Sequence, residues 1–271
     1  MLARAETWWT ILKISVEERL VYRGDFALGT LMRFLPIVTQ IFLWTAVFVA
    51  AGSNDIKGYS PTDIIAYYLL TMLARAFSSM PGLASGIARQ VRDGEIKKFM
   101  IQPIDLVGYL LLARIAHKVV YYLVAAGPFA LVYYVCRSYF PGWPDPSVFA
   151  VFVCSLLLSF ALGFFLEASM GMIAFWFLEV TSLLFVYMLF TFFFSGHMFP
   201  LDFLPEPWGT IVDFMPFKYM AYFPAAVFLG KVEGPDMWQG LMVQIGWVAF
   251  FIFTCRRMMN AGYRRYSGFG G

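Results

Sequence analysis

A stretch of residues long enough to cross a bilayer and nearly empty of charge leaves a chain few folding choices. Lipid offers no water to unpaired backbone groups, so a spanning segment must satisfy its own N–H and C=O groups as a helix or in a closed barrel. About 20 apolar residues make a crossing helix, whereas a barrel strand needs roughly half as many. Six stretches of the longer kind occur here, at residues 26–51, 62–87, 106–135, 147–167, 173–195 and 237–254. The composition agrees, with 61% hydrophobic and 14% charged residues, where a soluble domain has about 45–50% and ~25%. The expectation is an all-α polytopic membrane protein with six transmembrane helices in one domain covering residues 1–271.

Residues 1–24 precede the first span. Ala5, Trp9, Leu12, Val16 and Leu20 recur at helical spacing with Trp8 beside them, and charges fill much of the remainder. This predicts an N-terminal amphipathic helix in the membrane interface, with a helix packed on protein as the plainer alternative. Arg33 near the start of the first span can snorkel to the interface. Ser60 or Asp63 is placed to cap the second span. Within that span, Ser78, Gly82 and Gly86 form a small-residue ridge suited to close packing, and Pro81 predicts a bend. Arg75 lies mid-span, where a charge costs about 2.5–3.5 kcal/mol on insertion scales, so it should face the bundle interior or a wet cavity. In the third span, Arg114, His117 and Lys118 make a basic stripe expected at the interface. A short EASMGM turn is expected between spans four and five, leaving Glu167 at a span end and Glu179 about two turns into the fifth span.

Lysine and arginine set the orientation. Arg4, Lys13, Arg19, Arg23, Arg89, Arg92, Lys97, Lys98, Arg256, Arg257, Arg264 and Arg265 fall on one side, against only Lys57, Arg137, Lys218 and Lys231 on the other. Both termini are therefore expected in the cytoplasm.

That orientation puts an unusual segment outside. Residues 195–230 are nearly as apolar as the spans, yet Pro200, Pro205, Pro207, Pro216 and Pro224 interrupt them. No single helix runs through such spacing. Short external re-entrant helices are expected over residues 196–230, buried by protein or lining a cavity. On the opposite face, RQVRDGEIKKFMIQP, residues 89–103, is the most charge-dense stretch. It reads as a short helix broken at Gly94 and ended before Pro103, or as an ordinary basic loop.

Several chemistries are excluded. A GxxxxGK[ST] phosphate loop is missing, as is HExxH, and His117 and His197 fall on opposite sides of the predicted membrane. Cys136, Cys154 and Cys255 have no metal-type spacing and read as packing residues. The chain is expected to bind no metal and to hold no catalytic residues. Arginines in the tail suit anionic lipid but are too few for nucleic acid. Arg75, Glu167 and Glu179 are too scattered for an intramembrane enzyme.

The amphipathic start with six spans, RQVRDGEIKKFMIQP after the second span, and FFFSGHMFPLDFLPEPW with MPFKYMAYFPAAVFLG between the last two spans together resemble the membrane permease of type-2 ATP-binding-cassette exporters. The likeness is to its small stand-alone permeases. The resemblance implies a pathway formed with a second permease, identical or related, and separate ABC ATPase subunits that use ATP and Mg, with no cofactor bound by this chain. It implies a coupling segment at Arg89, Arg92, Asp93, Gly94, Glu95, Ile96, Lys97 and Lys98, docked on the ATPase. It also implies an external gate, for which Phe192, Phe193, Phe194, His197, Met198, Pro200, Pro216 and Phe217 are the candidates. Arg75, Glu167 and Glu179 are candidates for the pathway or for inter-helix contacts. The expected location is the inner membrane of a prokaryote, in contact with lipid, and the expected cargo is an amphipathic, drug-like, lipid or glycan compound. The alternative is a membrane scaffold that has the permease fold without transport.

Overall fold

The computed structural model describes residues 2–20, 23–102, 104–140, 142–177 and 179–266. Pro103, expected to end the charged stretch, and tail residues 267–271 lie outside these, as do the side chains of Arg4, Ala5, Arg19, Leu20, Arg23 and Arg33. Among the described residues every regular element is helical, and the chain divides into two compact units, Met1–Ser53 with Gln102–Phe140 and Asn54–Ile101 with Pro141–Gly271.

The first unit contains α1 (Leu2–Leu20), α2 (Arg23–Ala51) and α6 (Leu106–Val135), with α1 and α2 both packed on α6. The half-buried face of α1 is Trp8, Ile11, Leu12, Ser15 and Val16. Trp9, expected on that face, is 68% exposed. Trp8 takes the packed position because α6 offers it Gly108, where an added Cβ would lie 3.2 Å from the indole. Asp105 caps α6 by accepting the Gly108 N–H at 2.8 Å. Phe34 and Phe129 meet edge to face at 5.0 Å and join α2 to α6. Lys118 is buried, while Arg114 and His117 are half-buried.

The second unit contains α3 (Pro61–Ser78), α4 (Leu83–Arg92), α5 (Lys97–Ile101), α7 (Pro146–Met172), α8 (Thr181–Phe194), α9 (Trp208–Asp213), α10 (Tyr222–Phe228) and α11 (Gly234–Arg265). Helix α7 is its hub, packed against α3, α4, α10 and α11. Ser60 and Asp63 both cap α3 in a reciprocal box, at 3.1 Å and 3.2 Å. Instead of bending at Pro81, the helix stops at Ser78 and restarts at Leu83, with Gly82 left-handed at φ 73°. Proline removes a donor and glycine readily adopts positive φ, so the pair terminates one helix and starts the next.

Close approach does occur here, on different glycines from those expected. Gly82 and Gly86 have open space where a Cβ would stand. The tight contacts are at Gly163 and Gly171 of α7. A Cβ on Gly163 would collide with the Ser78 carbonyl, and one on Gly171 would sit 2.9 Å from the Ala84 Cα. This also explains why EASMGM is not a turn. Gly171 is a packing position, so α7 runs on to Met172 and the chain turns only through Ile173–Phe175 and Trp176. Glu179 consequently precedes α8 instead of lying inside it.

Among the described residues, four helical stretches are long and apolar enough to cross a membrane, Phe34–Ala51, Leu106–Val135, Pro146–Phe175 and Gly234–Arg265, and α8 is a shorter apolar helix. The protein is a multi-pass membrane protein.

Candidate functional site

Helix α8 spans 14 residues, about 20 Å, and ends before it has crossed a full bilayer. The chain leaves helical geometry after Ser195, through Gly196, His197 and Met198, and its freed carbonyls need donors. Those donors come from α3 and α10. Tyr67 donates its hydroxyl to the Gly196 carbonyl and Tyr68 donates to that of Met198. The Tyr222 N–H donates to the Ser195 carbonyl at 2.8 Å. Gly196 is required twice over: its φ is +78°, and an added Cβ would stand 2.6 Å from both the Tyr67 hydroxyl and the Tyr222 Cβ.

Beyond Pro200 the segment folds into a 3-10 turn at Leu201–Phe203, then α9, a second 3-10 turn at Pro216–Met220, and α10. The prolines at 200, 207 and 216 stand at or next to element starts, where a missing N–H costs least. Residues Tyr222 to Val227 of α10 are all buried. Helix α10 closes with Gly230 at φ +66°, its N–H on the Val227 carbonyl at 3.2 Å, while the Lys231 N–H reaches the Ala226 carbonyl at 2.8 Å. This is a Schellman ending, and it turns the chain towards α11.

Two polar clusters hold this segment. In the first, Asp202 accepts from Tyr59 at 2.6 Å and from Tyr222 at 2.7 Å. Burial of Tyr59, with the negative charge of Asp202 nearby, raises its hydroxyl pKa far above the ordinary value, so it stays a donor. Lys57 reaches the Asp202 carbonyl at 2.9 Å, and Lys231 bridges the Gly58 carbonyl at 2.7 Å and the Asp63 carboxylate at 2.9 Å. In the second, Gln244 of α11, fully buried, donates to the carbonyls of Ser155 (2.9 Å) and Tyr219 (3.1 Å) and to the Ser159 hydroxyl (3.2 Å). Ser159 itself donates to the Tyr219 carbonyl at 2.7 Å. A cavity of about 1070 Å³ opens beside the segment, lined by residues that include Asp202, Glu206, Lys231, Asp236, Gln239 and Trp247.

Arg75 belongs to the same end of the molecule. Its Nη1 lies 2.5 Å from Nε2 of His197, whose ring meets Phe192 edge to face at 5.9 Å. Phe192 and Phe193 are exposed and Phe194 is partly so; α8 has no buried residue at all. Met198 is exposed, Pro200 is buried, and Phe217 stacks obliquely near Tyr187 at 6.2 Å. Glu167 and Glu179 are elsewhere. Glu167 is half-buried on α7, and Glu179 accepts the Thr181 N–H at 2.8 Å with the charge of Arg92 in reach.

At the far end of the α3–α4 pair lies the charged stretch. Helix α4 ends at Arg92, Gly94 takes φ +78°, and α5 begins at Lys97. Val91, Ile96 and Phe99 are buried and anchor this elbow, while Arg89, Arg92, Asp93, Glu95, Lys97 and Lys98 are exposed. Asp93 pairs with Arg92 at 3.4 Å and Glu95 with Lys98 at 3.7 Å, both at the surface. Met100 and Ile101 are exposed beside them, Ile101 at 83%.

The sequence reading missed Tyr59, Tyr67, Tyr68, Asp202, Tyr222 and Gln244. Only Gln244 carried a signal, as an amide inside an apolar span that must find partners. Among the described residues no group of three or more metal-ligating side chains comes together.

The described residues form an all-helical, multi-pass chain with an apolar, proline-broken segment before its last long helix. Comparison with protein families matches residues 34–270 to the ABC-2 family transporter proteins, and the chain belongs to that family. The family consists of membrane permeases without ATPase motifs of their own and implies association with ABC ATPase partners. A search of the curated proteins finds no match to the chain.

Proposed function

We propose that this chain is the permease subunit of an ATP-driven exporter, with two such subunits enclosing one pathway and separate ATPases docking on the α4–α5 elbow. The observation that carries the reading is mechanical. The elbow continues into α4 and α3, which pack tightly on α7 at Gly163 and Gly171, and α3 supplies the tyrosines that hold the Gly196 and Met198 carbonyls. A push on the elbow therefore has a packed route to the cap, because close-packed interiors transmit strain.

In this reading α3–α4 and α8 complete six spans, both termini are cytoplasmic, and the membrane is the inner membrane of a prokaryote. Helix α8, apolar and without a buried residue, supports a second permease, identical or related, covering it. ATP and Mg belong to the partner. Arg75, Phe192, Phe193 and His197 face the pathway, and the aromatic surroundings suit an amphipathic drug-like, lipid or glycan cargo.

The test is charge reversal at the elbow, Arg92→Glu or Glu95→Lys, in the assembled complex. Membrane insertion is expected to be normal and ATP hydrolysis to become uncoupled from transport. Normal coupling and normal ATPase docking in both variants would overturn the assignment. ATPase binding without cargo-stimulated turnover in the unaltered complex would indicate a scaffold.

A further inference from the structure

One face of α11 changes character along its length. Phe250, Phe253, Arg257, Asn260, Ala261 and Arg264 recur at intervals of three and four residues, which aligns them on one side of the helix, and all are exposed. Phe250 and Phe253 are 52% and 64% exposed. Where the face turns basic, a cavity of about 500 Å³ opens, lined by Trp176, Arg257, Met258, Asn260, Ala261 and Arg264. Trp176 comes from the connection between α7 and α8, so two separate elements build the cavity. Among the described residues neither Arg257 nor Arg264 has a hydrogen-bonding or ionic partner.

Arginines near a helix C-terminus are ordinary, since they complement its dipole and mark one membrane face. The dipole reaches only Arg264 and Arg265 in the last turn, while the membrane-face account applies equally to Arg256, Arg257, Arg264 and Arg265. Neither account explains the open hollow beside Trp176 or the phenylalanines on the same face. Two guanidiniums about 10 Å apart along the axis, an amide between them, an indole at the rim and an apolar track into the bilayer match an amphiphile with a phosphate head and an acyl tail. We propose that this surface is a specific site for an anionic phospholipid. Arg257 and Arg264 hold the phosphate, Trp176 lies at the glycerol level, and an acyl chain runs over Phe253 and Phe250. A docked protein would use the arginines without needing the phenylalanines. Free phosphate would ignore the phenylalanines altogether. The site does not depend on the transport reading, because it concerns binding alone.

The test uses the full-length chain in nanodiscs of phosphatidylcholine containing a minority of phosphatidylglycerol, with bound lipid counted by native mass spectrometry. A defined number of phosphatidylglycerol molecules is expected to survive desolvation. Arg257→Gln and Arg264→Gln should each weaken retention about fivefold, and Trp176→Ala and Phe253→Ala should weaken it too. Arg265→Gln removes the same charge outside the cavity and should leave retention unchanged. Inorganic phosphate should not displace the lipid. An equal loss with Arg265→Gln would reduce the site to general attraction by the tail, and displacement by inorganic phosphate would make it a phosphate site. Equal retention of both lipids would overturn it outright. Arg257→Lys keeps the charge and serves as the folding control. Arg264, beyond the apolar part of α11, carries the test if Arg257→Gln fails to fold.

Discussion

Arg75 donates to Nε2 of His197 over 2.5 Å, joining the last turn of α3 to the irregular backbone that follows α8. A guanidinium has only donors, so the imidazole must accept and is therefore neutral here. His197→Gln preserves an acceptor and should retain stability and transport. His197→Leu removes the acceptor and should cost about 1–2 kcal/mol in denaturation of the purified protein. Arg75→Leu should impair transport as well, and wild-type folding, assembly and cargo range in that variant would remove Arg75 from the pathway.

The tyrosine pair on α3 makes a sharper case. Each hydroxyl satisfies a carbonyl that no helix can serve. Tyr67→Phe and Tyr68→Phe leave the ring packing intact and strand those carbonyls, at an expected cost of about 1–3 kcal/mol each. The cap should loosen before the bundle does. In a background without native cysteines, Met198→Cys should react faster with a membrane-impermeant maleimide when either hydroxyl is missing. An unchanged rate would mean that the cap holds without them.

Gln244 is expected to behave as part of a unit with Ser159. Both donate to the Tyr219 carbonyl, and Gln244 also donates to Ser159 itself. Gln244→Leu should destabilise by about 1–3 kcal/mol. Combined with Ser159→Ala, the loss should depart from additivity by about 0.5 kcal/mol or more in a double-mutant cycle. Strict additivity would show that the two side chains act independently.

The glycines can be ranked. Gly163→Ala forces a methyl into the Ser78 backbone, whose carbonyl carbon would be 2.9 Å away, and should cost about 1–3 kcal/mol by overpacking. Gly86→Ala meets nothing within 4 Å and sits inside α4, so it should be neutral or stabilising by about 0.5–1 kcal/mol. Thermal unfolding of the two variants side by side decides the matter, and the reverse order would refute the assigned α3–α7 contact.

Some features of this protein are local to a segment and others depend on what packs against it. Apolar length is a property of a segment by itself, and so are the proline interruptions between residues 195 and 230, the charged stretch broken at Gly94, and the capping pair Ser60 and Asp63. Each could be read because its cause lies within a few residues of its effect. The turn expected at EASMGM and the ridge expected at Gly82 and Gly86 failed for the opposite reason. A glycine can end a helix or let another backbone approach it, and only the neighbour decides which. Gly171 has Ala84 against it, while Gly86 has open space.

The sequence alone determined that this chain lives in a membrane as helices, and that an apolar but broken segment stands before its last span. Tertiary structure decided how that segment is held. Tyr67 meets Gly196 across 129 residues of chain, and Gln244 reaches Ser155 across 89. Pairings at such separation leave no local periodicity to read. They form because a stranded carbonyl in an apolar interior must find a donor, and the fold alone determines which donor is near.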